Sequence, residues 1–189
     1  MYGRLVLTIK GPNMGVQLRP DLSLRSNTSA ICQKSYSRMW MLRRLKPLGA
    51  TTEELLEVFD KQIRCIAEFA SPVWTAGLTA DENNQIERIQ KCAFAIILAE
   101  NYTTYQSALK KLRGTTLSSR RAELNLKFGK KCLKSDKYQH WFTENKPTQM
   151  LNKTRSEPSK LLPVQARTST FQNKSPIAYL TRLLNDSKK

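Results

Sequence analysis

Apolar positions in this chain follow two spacings, one near two residues and one near three to four. Within residues 1–25, Leu5, Val6, Leu7 and Ile9 precede a Gly11-Pro12-Asn13 turn, and Val16 and Leu18 alternate after it. That pattern predicts two short strands, a β-hairpin remnant ended by Pro20-Asp21. An isolated hairpin is marginal in water, so a sheet partner supplied from elsewhere is expected.

From residue 26 the period becomes helical. A first helix is predicted over about 26–46, stopped by Pro47 and Gly49, with Ile31, Met39, Leu42 and Leu45 facing inward. Thr51-Thr52-Glu53-Glu54 is a capping box for a second helix, whose stripe is Leu56, Phe59, Ile63, Ile66 and Ala67 and whose end is Ser71-Pro72. Thr79-Ala80-Asp81-Glu82 repeats the signature ahead of Ile86, Ile89, Ala93, Ile96 and Ile97. That third helix is almost apolar all round near its end, which places it in the middle of a bundle. A short fourth helix is predicted over 104–112, ended by Gly114. A fifth over 117–135 is expected to bury Leu117, Leu124, Phe128 and Cys132 on one side and Ala122 and Leu133 on another.

The expected fold is therefore mainly α: a bundle of about five helices over 26–145, with the hairpin remnant at 1–25 before it. Residues 146–189 carry Pro147, Pro158, Pro163 and Pro176 among Ser, Thr, Lys and Asn, which predicts a flexible tail. Its last apolar patch (Ile177, Tyr179, Leu180, Leu183, Leu184) can form a turn or two that docks back.

Charge sharpens this picture. The chain has 32 basic and 15 acidic residues, a net +17. The excess is uneven: residues 1–50 carry nine basic and one acidic, 51–103 four and nine, 104–146 eleven and three, 147–189 eight and two. Two basic blocks flank an acidic one, which points to a local polyanion-binding surface.

Chemistry is sparse by comparison. Cys32, Cys65, Cys92 and Cys132 are widely spaced within helical runs and His140 is the sole histidine, so zinc ligands at sensible spacing are lacking and buried free thiols are expected. Such thiols fit a reducing, intracellular compartment, nuclear or cytoplasmic. No apolar stretch approaches the ~20 residues of a membrane span. No Asp-Asp pair, Gly-rich phosphate loop or paired nucleophile and base is present, and His140 beside Trp141 is expected to pack as an aromatic. No catalytic residue, metal or cofactor is expected.

The better candidate is a basic-aromatic helix. Lys34, Arg38, Arg43, Arg44 and Lys46 can neutralise phosphates, and Tyr36 or Trp40 can stack on a base or lie against a sugar. The same pattern also suits a core Trp40 with arginines covering the bundle. On the fifth helix Lys127, Lys130, Lys131 and Lys134 gather on one strip with Arg120. Phosphate binding and plain solvation, with Glu123 paired to Lys127, are equally open there. The tail's Lys153, Arg155, Lys160, Arg167 and Lys174 can add nonspecific affinity. No signature of a sequence-specific reader is visible.

Several motifs occur in a fixed order: Met14-Gly15-Val16, Asp21-Leu22-Ser23-Leu24, Arg38 through Leu45, Pro72-Val73-Trp74, Ile86 through Cys92, Arg120-Arg121, Lys127-Phe128, Lys130 through Lys134 and His140-Trp141-Phe142. Together they resemble the C-terminal part of the reverse transcriptase of non-LTR, LINE-type retrotransposons, from the end of the palm through the thumb. In that likeness Met14-Gly15-Val16 corresponds to the Leu-Gly-Val strand closing the palm, and Asp21-Leu22-Ser23-Leu24 to an Asp-Leu-Ser-Trp segment. The run Arg38 to Leu45 resembles the thumb, and Ser175-Pro176-Ile177-Ala178-Tyr179-Leu180 is similar to the family's own ending. The resemblance implies a truncated, non-enzymatic copy whose thumb grips an RNA–DNA hybrid or duplex backbone without reading sequence, with Lys34, Arg38, Arg43 and Arg44 toward phosphates. The alternative is a protein-interaction or self-associating remnant that exposes the surface once turned to the palm.

Overall fold

A computed structural model describes residues 15–17, 23–142, 161 and 174–187. The described residues form a mainly helical bundle, as the periodicity predicts. The expected hairpin falls largely outside them; Gly15 to Gln17 add only an isolated bridge position at Gln17.

Helices α1 (Arg25–Arg38) and α2 (Trp40–Leu45) occupy the stretch predicted as one helix. The break falls at Met39, whose N–H turns back to the Tyr36 carbonyl at 3.1 Å, a tighter i−3 bond. Neither Pro nor Gly causes it. Met39 and Leu42 are fully buried, and the inner side of α1 also holds the polar Asn27, Thr28 and Ser35. After a 3₁₀ turn, Lys46–Leu48, the chain reverses through Gly49 at φ 89°, where a side chain would be strained.

The next rod contains α3 (Thr52–Val58), a π-helical stretch Phe59–Arg64, and α4 (Cys65–Glu68). Its buried face is Leu55, Phe59, Ile63 and Ala67, so Leu55 replaces the expected Leu56. A strict four-residue repeat drifts about 40° per step around an α-helix. The wider π turn rotates less per residue and brings the stripe back into line. The rod stops at Phe69, two residues before the predicted Ser71-Pro72 end. Ala70 takes left-handed backbone at φ 51° and α5 (Ser71–Trp74) follows.

Helix α6 (Ala80–Leu98) matches its prediction and touches α1, α2, α3, α7 (Tyr105–Lys111) and α8 (Leu117–Lys134). Both capping boxes form: Glu54 N–H to Thr51 Oγ1 is 3.3 Å, and Glu82 N–H to Thr79 Oγ1 is 3.2 Å.

Helix α8 departs most from expectation. Its buried side is Leu117, Arg121, Asn125, Gly129 and Cys132, while Phe128 is 40% exposed and Leu124 only half-buried. The surroundings supply some of the partners for these inward polar residues, while Arg121 Nε and Nη1 and Asn125 Nδ2 have no hydrogen-bond partner among the described residues. Ser71 donates to Asn125 Oδ1 at 2.8 Å, and the Arg121 guanidinium bonds Asn83 and lies over the Trp74 ring at 5.6 Å. Burial pushes the Arg121 guanidinium below its ordinary value, opposed by the field of Glu87. The start of α8 is fixed by Glu87 of α6, a buried carboxylate. It accepts from Leu117 N–H at 3.1 Å, Ser118 N–H at 3.2 Å and the Tyr105 hydroxyl. A carboxylate at a helix N-terminus satisfies orphan donors and complements the dipole. Burial first, then that carboxylate, raises the Tyr105 phenol.

The C-terminal apolar patch is α9 (Pro176–Asp186), a longer helix than the turn or two expected. It packs on α8 and α5, burying Leu180 and Leu184 with Cys132, Phe142 and Leu161. Gly129 faces this helix, and a Cβ there would come into contact with Leu184 at 3.4 Å. Asn185 clamps Leu161, accepting its N–H at 2.9 Å and donating to its carbonyl at 3.0 Å. The rest of the predicted tail lies outside the described residues.

Replacing Glu87 with Ala leaves three donors without their acceptor, and should lower the unfolding free energy by roughly 2–4 kcal/mol in urea titration. Thr79→Ala, which removes one cap, should cost about 1 kcal/mol. Equal costs for the two variants would rule out the Glu87 joint as a dominant contribution.

Candidate nucleic-acid interface

The residues proposed to meet nucleic acid separate into groups once the helices are packed. Lys34 and Arg38, four residues apart on α1, line a cleft against α4. Arg38 Nη1 donates to the Gln62 carbonyl and to Gln62 Oε1, both at 3.2 Å, so part of its guanidinium is occupied by the π-helical stretch. The Lys34 ammonium is exposed without a polar partner among the described residues.

Tyr36 and Trp40 lie on another side of the same rod. Trp40 is 58% exposed and Tyr36 39%, so the core placement that the pattern also allowed for Trp40 is not the one adopted. Tyr36 borders α6, and its hydroxyl lies near Cys92 and Arg88 of that helix and Cys32 of its own. Burial and the two thiols raise that phenol, while Arg88 acts in the opposite direction. Arg43 and Arg44, one turn beyond Trp40, are exposed and have no acidic partner among the described residues. Arg88, also exposed, extends the cationic character of this face. Sequence spacing offered no reason to include it, because it belongs to the acidic central block and reaches the face only through the α1–α6 contact.

Lys46 is occupied differently. Its ammonium donates to the Ile97 carbonyl at the end of α6, satisfying an acceptor that the helix leaves open. This contact makes Lys46 a clasp between the α2 end and α6.

Lys127, Lys130, Lys131 and Lys134 are all exposed on α8. The expected Glu123–Lys127 pair does not form, and none of the four lysines has an ion-pair partner among the described residues. Arg120, by contrast, turns to Glu68 of α4 at 2.6 Å, a carboxylate that also lies 3.4 Å from Arg64. Helix α8 packs on α4, α5, α6 and α9, and its lysine strip belongs to a different helix from the α1–α2 cations. Of the tail cations named above, only Lys174 is described.

The remaining chemistry is plain. All four cysteines are free, but Cys65 and Cys92 are exposed rather than buried, because their helix positions face away from the packed stripe. His140 packs edge-on against Trp141, centroids 6.2 Å apart. Among the described residues no His, Cys, Asp and Glu group is suited to a metal, and no helix is long and apolar enough to cross a membrane. Glu54, Glu82 and Glu87 serve as caps, and Glu57, Asp60 and Glu68 form ion pairs such as Arg64–Asp60 at 2.5 Å. No protein-family model, no curated protein and no solved structure matches the chain.

The clasp at Lys46 separates structure from binding. Lys46→Met should lower thermal stability by about 1 kcal/mol while leaving the salt dependence of any nucleic-acid binding unchanged. A flatter salt slope in this variant would return Lys46 to the phosphate-contacting set.

Proposed function

We propose that this chain is a sequence-independent nucleic-acid-binding helical module, akin to the thumb of non-LTR retrotransposon reverse transcriptases and without polymerase or endonuclease chemistry. The observation that carries this reading is the outer face of the α1–α2 rod. Trp40 and Tyr36 stand exposed there beside Arg43 and Arg44, which have no acidic partner among the described residues. Exposed aromatic rings beside unneutralised guanidinium groups form a face suited to an anionic, ring-bearing partner. A phosphate backbone answers both: the arginines displace condensed counterions, and the rings lie against sugars or a terminal base. The lysine strip on α8 supplies a second, weaker contact of the same kind. An RNA–DNA hybrid or duplex is the substrate class, because the face carries cations and rings but no device for reading base edges.

The likeness in motif order also supports the thumb assignment. Its internal members are structural: Trp74 of Pro72-Val73-Trp74, Glu87 and Gln90 of the Ile86–Cys92 run, and Arg121 all lie in the bundle's interior. Gln90 Nε2 donates to the Thr115 carbonyl at 2.9 Å, beside the Glu87 anchor. A reading as a protein-interaction module rests on a different place, the α4–α5 turn, where Phe69 and Val73 are each about half exposed. In that case sedimentation without nucleic acid should show concentration-dependent mass, abolished in Phe69→Ser/Val73→Ser.

Fluorescence anisotropy of an RNA–DNA hybrid across several salt concentrations tests the main reading. Arg43→Ala/Arg44→Ala should reduce the log–log salt slope by about 2, near 0.9 for each phosphate that is no longer neutralised, and weaken binding equally for unrelated sequences. An unchanged slope sinks the outer face as the phosphate-binding surface.

A further inference from the structure

The cleft between α1 and α4 is separate from the outer face and has its own chemistry. Its volume is about 620 Å³, within the range of built ligand sites. Ile31, Ile66 and Phe69 give it an apolar surface, Lys34 and Arg38 edge it from α1, and no carboxylate lines it. The lining suits an anionic occupant that presents flat or apolar groups to the floor. Lys34 and Arg38 stand one helical turn apart, about 5–6 Å between Cβ atoms, which suits anions repeated along a chain better than one head group. Phe69, 51% exposed, sets an aromatic ring across from those cations. Aromatic platforms beside cations are how single strands are held without sequence preference.

We infer that this cleft binds a short unpaired stretch of nucleic acid, with bases laid on Phe69 and Ile66 and phosphates along Lys34 and Arg38. The inference rests on the reading of the chain as a nucleic-acid binder, but its site and its ligand form differ from those of the outer face. An overhang or frayed end would occupy the cleft.

The probe is a six-nucleotide single strand carrying 2-aminopurine, followed by base fluorescence and anisotropy. Saturable binding with a change in 2-aminopurine emission is expected. Ala30→Trp, which fills the cleft from α1 without altering charge, should weaken it about tenfold or more, and Phe69→Ala by roughly tenfold. Circular dichroism checks that Ala30→Trp keeps its helices; exposed Phe69 provides the variant that folding does not depend on. No hexamer binding, or equal binding by wild type, Ala30→Trp and Phe69→Ala, overturns the cleft. So does a fall in hexamer affinity confined to Arg43→Ala/Arg44→Ala, which would leave the outer-face reading standing. Hexamer binding sensitive to Ala30→Trp in a protein that ignores the hybrid supports the cleft and removes the outer face. Displacement of the hexamer by an acidic amphipathic peptide of higher affinity assigns the groove to a protein partner and overturns the inference.

Discussion

One buried carboxylate sets the geometry of this bundle. Glu87 projects from the central helix and takes the first two free amides of α8 together with the Tyr105 hydroxyl. Removing a charge from water is expensive, and it persists here because a helix terminus offers aligned donors and the positive end of a dipole. The bond fixes where α8 begins along α6. With that register set, Arg121 meets Trp74, Asn125 meets Ser71, and Gly129 lies where α9 approaches closely. A shift of one residue in α8 would strand each of those polar side chains without a partner.

The joint also explains why the interior and the surface speak about different things. Trp74, Glu87, Gln90 and Arg121 lie in the interior, where they hold helices together. The cations proposed to meet phosphate lie on the outside and take little part in packing, apart from Arg38 on Gln62 and Lys46 on Ile97. Interior polar side chains therefore bear on architecture, whereas the exposed arginines and aromatic rings bear on binding.

Helix irregularities decide how the basic surface is divided. The break at Met39 and the π turn from Phe59 to Arg64 flank the same region, and Arg38 bridges them through Gln62. The α1–α2 rod thereby offers Lys34 and Arg38 to the α4 cleft and keeps Trp40, Arg43 and Arg44 on another side. One helix that reads as a single basic stripe thus contributes to two surfaces of different depth.

Much of the fold was legible in the sequence because local rules act within a few residues. Both capping boxes, the α6 stripe, the ends near Pro47, Gly49 and Gly114, and the helical class follow from spacing and side-chain chemistry alone. The inward side of α8 did not, since an apolar-stripe rule places Leu124 and Phe128 inside. Only the positions of Glu87, Ser71 and Trp74 make Arg121 and Asn125 cheaper to bury. The π turn was encoded in the four-residue repeat of Leu55, Phe59, Ile63 and Ala67, but a 3.6-residue template conceals it. At the candidate site the sequence determined which residues are cationic or aromatic. Tertiary packing decided which of them remain in water, because exposure depends on neighbours far away in the chain.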